Sequence, residues 1–142
     1  MIVVVDSSVV IKWYVNENHT VEAEQLIDGR FELNAPELLL AEVGNIVWKK
    51  LRNDDIDEQL ANFTIESIAR QKIYLHSHKE LFKSAYERAI ETRTSVYDWI
   101  YLSLALSLSC PFITADRKFF LALRKTRFKK DIVWIENIPD LI

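Results

Sequence analysis

Four acidic residues, Asp6, Glu42, Asp98 and Asp116, have types and neighbours that suit a site for a divalent cation. Asp6 directly follows the apolar run 2–5 and Asp116 ends a second apolar run, so both carboxylates are predicted at the ends of buried strands. Clustered carboxylates repel one another, and oxygen ligands without histidine or cysteine suit Mg²⁺ or Mn²⁺. Because Mg²⁺ usually keeps water and binds substrate phosphate, the chemistry implied is phosphoryl transfer to water.

Two of these aspartates have a structural alternative as helix caps. Asp6 and Asp116 stand where a helix is predicted to follow a strand, and an aspartate at such a junction commonly accepts hydrogen bonds from the first free amides of the helix. At the first junction Ser7 or Ser8 can take the capping role instead. We therefore expect Asp6 to be free for chemistry.

The other two acids lie within predicted helices. Asp98 follows Ser95 by three residues, which fits a capping box, yet the positions that share its helix face are apolar. These positions are Tyr101, Leu102 and Ala105. A carboxylate above an apolar face needs a partner or a metal to offset its desolvation. Glu42 belongs to a polar helix stripe with Asn45, Lys49 and Arg52, which a solvated surface explains as well as a polar cleft does.

Polar and basic residues near the acids are candidates for supporting roles. Ser7, Asn45 and Thr114 lie beside them in the sequence and are predicted to orient the carboxylates. The segment 117–130 holds seven basic residues and no acid, although the chain as a whole has a net charge of −3. They are Arg117, Lys118, Arg124, Lys125, Arg127, Lys129 and Lys130. The segment predicts a phosphate-binding face, with an ordinary solvated surface as the alternative.

Apolar runs and helical patterns alternate along the chain. Strands are predicted at 2–5, 31–34, 73–75, 112–114 and 132–135. Helices are predicted from Ser7 or Ser8 to about residue 15, and at 20–28, 36–51, 54–71, 79–93 and 95–109. This alternation predicts an α/β sandwich with a mostly parallel central sheet flanked by helices. Ligands in such folds gather at the carboxyl ends of the strands, which is where Asp6 and Asp116 are expected.

Composition removes several classes of protein. Gly29 and Gly44 are the only glycines, so neither a dinucleotide-binding glycine fingerprint nor a P-loop can be present. With Cys110 as the only cysteine, no internal disulfide can form, and the N-terminus does not resemble a secretory signal. No stretch makes a convincing membrane span. We expect a single domain over residues 1–142, located in the cytoplasm and without a membrane partner.

Four segments resemble the acidic motifs of PIN-domain ribonucleases, specifically the VapC-type toxins of prokaryotic toxin–antitoxin modules. They are IVVVDSS at 2–8, AEVGN at 41–45, SVYDWIYLSLA at 95–105 and ITAD at 113–116. Each motif is short and degenerate, but four in the right order in a chain of this size are specific. The resemblance extends over nearly the whole chain, and no acid of the pattern is missing.

The resemblance implies a PIN-like three-layer sandwich and a Mg²⁺- or Mn²⁺-dependent endoribonuclease. Asp6, Asp98 and Asp116 would bind the metal, and Glu42 would complete the site or help to activate water. RNA backbone would contact Arg117, Lys118, Arg124 and Lys125. The resemblance also implies a homodimer and a VapB-type antitoxin that occupies the cleft. A catalytically silent module that binds RNA or protein is the alternative, followed by a phosphatase-like α/β domain.

Overall fold

A five-stranded, entirely parallel sheet with the strand order β3-β2-β1-β4-β5 forms the centre of the computed structural model, which describes residues 1–142. The strands are β1 (Ile2–Val5), β2 (Glu32–Pro36), β3 (Tyr74–His76), β4 (Phe112–Thr114) and β5 (Ile132–Trp134). Val4 of the central strand pairs with Asn34 on one side and Phe112 on the other. Parallel neighbours require crossover connections, and helices provide them, which confirms the predicted α/β class.

Seven α-helices flank the sheet. They are α1 (Ser7–Val10), α2 (Thr20–Glu24), α3 (Leu38–Arg52), α4 (Glu58–Arg70), α5 (Phe82–Thr92), α6 (Val96–Leu108) and α7 (Arg117–Leu123). Short 3₁₀ segments extend four of the elements, at Ile11–Trp13, Gln25–Ile27, Lys79–Leu81 and Ile135–Leu141. Helix α6 packs on β1, β2 and β4 and is covered by α5, whereas α3 packs on α1 and α4. None of these helices is long and apolar enough to cross a membrane.

The core is a cluster of 33 buried hydrophobic residues centred on the sheet and α6. In α6 every residue from Trp99 to Ala105 is buried, so this part of the helix is enclosed by protein on all sides. The Trp99 ring is fully buried, with edge contacts to Phe119 and Phe128, and its Nε1 donates to Thr92 Oγ1 at 2.8 Å. These contacts fix the first turn of α6, which carries Asp98.

Several predicted boundaries were wrong for identifiable reasons. Pro36 does not begin a helix: it is the last residue of β2 and pairs with His76, and α3 begins at Leu38. The first helix is α-helical only to Val10 and continues as a 3₁₀ turn to Trp13. Ser95 and Ser109 cap α6 rather than belonging to it, since Ser109 adopts a left-handed conformation with φ 52°. Strands β1 and β4 have the predicted bounds.

Candidate active site

The structure brings all four predicted acids to one edge of the sheet. Asp6 and Asp116 follow the carboxyl ends of the neighbouring strands β1 and β4, Asp98 lies in the first turn of α6, and Glu42 lies in α3. The four carboxylates affect one another electrostatically: the charge of Asp98 raises the pKa of Asp6, and the charge of Asp116 raises the pKa values of both Asp98 and Glu42. The acids therefore lie near enough to one another for their charges to interact.

Asp6 is the most enclosed acid of the cluster. Ser8 Oγ donates to its Oδ1 and Thr114 Oγ1 donates to its Oδ2, each at 2.5 Å. Burial raises the pKa of Asp6 to about 7, against the lowering effect of these hydrogen bonds, and the charge of Asp98 adds to the rise. Oδ1 also accepts from the Val9 amide at 3.2 Å, so Asp6 itself caps α1 and neither Ser7 nor Ser8 takes that role. Capping and site formation thus coexist at Asp6.

Asp98 is held by the cap that precedes it. Ser95 Oγ accepts from the Asp98 amide at 3.1 Å and donates to Asp98 Oδ2 at 2.9 Å. Burial raises the pKa of Asp98 to about 6; the Ser95 hydrogen bond lowers it, and the charges of Asp116 and Glu42 raise it. The helix positions predicted to share its face, Tyr101, Leu102 and Ala105, are buried. Asp98 itself is half-buried and lines a cavity with polar and charged side chains.

Glu42 is positioned by Tyr101, which was predicted only as part of an apolar helix face. The buried Tyr101 donates from its Oη to Glu42 Oε1 at 2.6 Å. Burial, together with the negative charge of Glu42, raises the pKa of Tyr101 far above its ordinary value, so the phenol remains a donor. The sequence could have indicated Tyr101 as a site residue, because it lies one helical turn after Asp98 and a buried phenol requires a hydrogen-bond partner.

Asp116 and Thr114 join the two strand ends. Asp116 caps α7 by accepting from the Phe119 amide at 3.1 Å, and its own amide donates to Thr114 Oγ1 at 3.0 Å. Because the fully buried Thr114 hydroxyl accepts this amide, its single proton is directed to Asp6. Ser8 Oγ in the same way accepts the Ala115 amide at 3.0 Å. The loop after β4 is thus attached to Asp6 through two hydroxyl groups.

We expect Thr114→Val to lower the free energy of unfolding by about 1–3 kcal/mol, because the isosteric side chain leaves the Asp116 amide and Asp6 Oδ2 without a partner. Urea denaturation measures the change. Thr64→Val is the matched control, since Thr64 is also fully buried but donates only to the Leu60 carbonyl within α4. A loss at Thr114 no larger than the loss at Thr64 would contradict this account of the loop.

The donor set fits a hard divalent cation. All four side chains offer oxygen, and none of them makes an ion pair with lysine or arginine. As the side chains lie, however, no three acids are close enough together to hold one ion directly. Asp6, which points at Ser8 and Thr114, uses both of its oxygens inside the protein. Mg²⁺ commonly contacts only one or two carboxylates and keeps its waters, which agrees with this spacing.

The other predicted supporting residues lie at the cluster but make fewer contacts. The Ser7 hydroxyl lowers the pKa of Glu42, whereas Ser8 is the serine that bonds to Asp6. Asn45 is exposed and lines a cavity with Glu42 without a hydrogen bond to it. Ser8 was weighed only as a helix cap in the sequence, because nothing there distinguishes it from Ser7.

The basic segment divides into two parts. Arg117 and Lys118 begin α7 beside the acids, whereas Arg124 and Lys125 follow its last residue, about 10 Å farther along the helix axis. Lys118 also lines a cavity of about 320 Å³ with Asp98, Asp116 and Arg93. Neither Lys118 nor Arg93 makes an ion pair, although Lys118 is near enough to lower the pKa of Asp98. Two free cations therefore lie next to the acidic cluster.

Comparison with known proteins identifies the family of the chain. Residues 3–125 match the family model described as PIN domain. The chain belongs to the PIN-domain family. A PIN-domain relative, Ribonuclease VapC3 of Pyrobaculum aerophilum, is 31% identical over 120 residues, which cover 83% of this chain and 92% of the relative.

Solved structures share the fold at low sequence identity. VapC20 of Mycobacterium tuberculosis, described as a toxin that cleaves the sarcin-ricin loop, superposes with a TM-score of 0.64 at 14% identity; the match covers 84% of this chain and 94% of VapC20. VapBC2 of Rickettsia felis, solved with a DNA fragment from its promoter, superposes with a TM-score of 0.61 at 12% identity, over 94% of this chain and 98% of the matched chain. These likenesses confirm the PIN-like arrangement of a parallel sheet between helices.

Proposed function

We propose that this PIN-domain chain is a divalent-metal-dependent endoribonuclease that hydrolyses RNA phosphodiester bonds, acting as the toxin of a VapBC-type toxin–antitoxin system. The observation that carries the proposal is the cluster of Asp6, Glu42, Asp98 and Asp116, four coupled acids without a basic partner. The name of the Pyrobaculum aerophilum relative, Ribonuclease VapC3, supports RNA as the substrate.

Each residue of the site has a proposed role. Asp98 and Asp116 hold Mg²⁺ or Mn²⁺, with Asp6 at the base of the site and Glu42 completing it or helping to activate water. When bound, the ion supplies an activated water and stabilises the charge that develops on the phosphate oxygens. Ser8, Ser95, Tyr101 and Thr114 keep the acids oriented through the hydrogen bonds described above.

The proposal also includes a protein partner, an oligomeric state and a cellular location. A VapB-type antitoxin is the proposed partner, supported by the VapBC assembly among the structural neighbours, and a homodimer is the proposed assembly. We place the activity in the cytoplasm, where cellular RNA is found, and treat residues 1–142 as one PIN-like domain. Size-exclusion chromatography with light scattering tests the dimer directly.

Incubation of the full chain with single-stranded RNA, in Mg²⁺ and in EDTA, tests the activity. We expect internal cleavage in Mg²⁺ and none in EDTA, with sites mapped on total RNA. The spacing of the acids leaves one other candidate, a silent module that binds RNA or protein without turnover. Intact RNA in Mg²⁺ and Mn²⁺, with binding retained, would identify that module and contradict the nuclease.

Replacing Lys118 by glutamine is expected to reduce the salt dependence of RNA binding, because Lys118 lies beside the acids without an ion pair. Loss of one phosphate contact on a single strand lowers the slope of log K against log salt by about 0.7. Binding at a series of NaCl concentrations measures it. Lys130→Gln is the control, since Lys130 lines a cavity with Pro111 and Asp131 at the opposite edge of the sheet. Equal slopes for Lys118→Gln and the wild type would refute the contact.

A further inference from the structure

A second cavity, of about 390 Å³, lies on the Glu42 side of the acidic cluster. Its lining residues are Tyr97, Leu38, Ala41, Glu42 and Asn45. Four of these lie on one face of α3, at the spacing i, i+3, i+4 and i+7, and Tyr97 precedes Asp98 in α6. This cavity shares no residue with the one lined by Arg93 and Lys118: Glu42 lines the first, whereas Asp98 and Asp116 line the second.

Tyr97 is the one aromatic residue of α6 whose side chain is exposed rather than packed in the core. The other two aromatic rings of the helix are buried: Trp99 donates to Thr92, and Tyr101 donates to Glu42. Tyr97 is 61% exposed, and its ring pairs with no other aromatic ring and its hydroxyl has no hydrogen bond. Its ring therefore lies beside the acidic cluster with a face available to a ligand.

The chemistry of the cavity suits a nucleobase. An aromatic ring and the aliphatic side chains of Leu38 and Ala41 provide apolar surface for a flat heterocycle. The free amide of Asn45 offers both a donor and an acceptor, which is how side chains read base edges. An anionic group would be repelled here by Glu42, whereas the cavity across the cluster offers the cations Arg93 and Lys118 to a phosphate.

We propose that the Tyr97 cavity is the base subsite of the nuclease: it receives one unpaired RNA base, stacked on Tyr97 and read by Asn45, while a neighbouring phosphate of the same strand lies against Arg93 and Lys118. The inference rests on the proposed function, which supplies RNA as the ligand. The subsite requires the bound base to be unpaired, because a base inside a duplex cannot stack on a protein side chain.

Binding of unstructured RNA homopolymers of A, C and U to the full chain tests the subsite. EDTA is present and RNA integrity is checked on a gel, so binding is read without turnover. We expect Tyr97→Ala to weaken binding of the preferred homopolymer by about 5- to 100-fold and Tyr97→Phe to leave it within about twofold, because stacking needs only the ring. Asn45→Ala should change the ranking of the three bases. Tyr86→Ala, at a similarly exposed tyrosine of α5, is the matched control.

The outcomes separate the subsite from the proposed nuclease. RNA that is cleaved in Mg²⁺ but binds Tyr97→Ala as tightly as wild type overturns the subsite and leaves the nuclease standing. Binding that depends on Tyr97 without any cleavage supports the subsite and contradicts the nuclease. An equal loss of RNA binding in Tyr97→Ala and Tyr86→Ala overturns the subsite. So does a Tyr97→Ala variant that loses as much affinity for a poly(A)·poly(U) duplex as for single-stranded poly(A). So does a Tyr97→Ala variant that loses only its binding of an antitoxin, which would make the cavity a protein-docking surface.

Discussion

The Asp98→Asn variant is expected to lose Mg²⁺-dependent RNA cleavage by about 100- to 1,000-fold or more, while the metal-free chain stays folded. Asparagine keeps the size of the side chain and an oxygen that can accept from Ser95, but it carries no charge to hold a cation. At neutral pH the change should also stabilise the metal-free chain, because burial and the charges of Asp116 and Glu42 oppose ionisation of Asp98. Cleavage rates and urea denaturation, measured on one preparation, check both expectations.

Asp131→Asn provides the control for this variant. Asp131 directly precedes β5, so it lies beside a strand of the same sheet but at the edge opposite the acids. Its replacement is expected to leave cleavage within about twofold of wild type, as a surface substitution outside the site should. Cleavage that survives in Asp98→Asn, or that falls equally in both variants, would show that Asp98 has no special part in the reaction.

The stability of the metal-free chain is expected to fall as pH rises from about 4 to about 7. The pKa of Asp6 is 3.8 in the unfolded chain and about 7 in the fold, chiefly through burial. Between these values the folded chain keeps a proton that the unfolded chain has released, so the folded state is favoured at the acidic end. Well above pH 7 both states are ionised and the loss is complete. The difference in the free energy of unfolding due to Asp6 is about 4 kcal/mol.

Urea denaturation in EDTA across this pH range measures the slope, and Asp6→Asn is expected to make it shallower, leaving the part that is due to Asp98. The comparison concerns the slope rather than the absolute stability, because the new amide group would face one of the two hydroxyls that now donate to Asp6. Asp54→Asn, at an exposed position outside the cluster, should keep the wild-type slope. A slope that is the same in wild type and Asp6→Asn would show that Asp6 ionises as readily in the fold as in the unfolded chain.

Most of the fold was predictable because local chemistry agrees with tertiary structure. The apolar runs at β1 and β4 are too short and too β-branched for helices, and both strands have the predicted bounds. Pro36 was misplaced because proline suits both a helix start and a strand end, and only the pairing with His76 selects the strand. The assignment of Pro36 to a strand depends on a partner 40 residues away in the chain, and the local hydrophobic pattern carries no information about that partner.

The site was predictable as a set of acids but not as a network. Asp6 and Asp116 could be placed because each follows a buried strand, and adjacent parallel strands end at the same edge. Their hydrogen bonds run between distant segments, as from Thr114 to Asp6 and from Tyr101 to Glu42, so the sequence does not show them. The run of basic residues likewise predicted one face for Lys118 and Arg124, although the two lie at opposite ends of α7.

Direct titration of the metal-free chain with MnCl₂ tests the central claim, that the acidic cluster holds a divalent cation for RNA cleavage. Calorimetry reports binding, and RNA cleavage is followed in the same samples. We predict that Mn²⁺ binds the wild type and Asp131→Asn, that Asp98→Asn and Asp116→Asn lose binding and cleavage together, and that cleavage follows occupancy during the titration. Mn²⁺ bound with wild-type affinity by Asp98→Asn and Asp116→Asn, or RNA cleaved at full rate before any Mn²⁺ is bound, would contradict the claim.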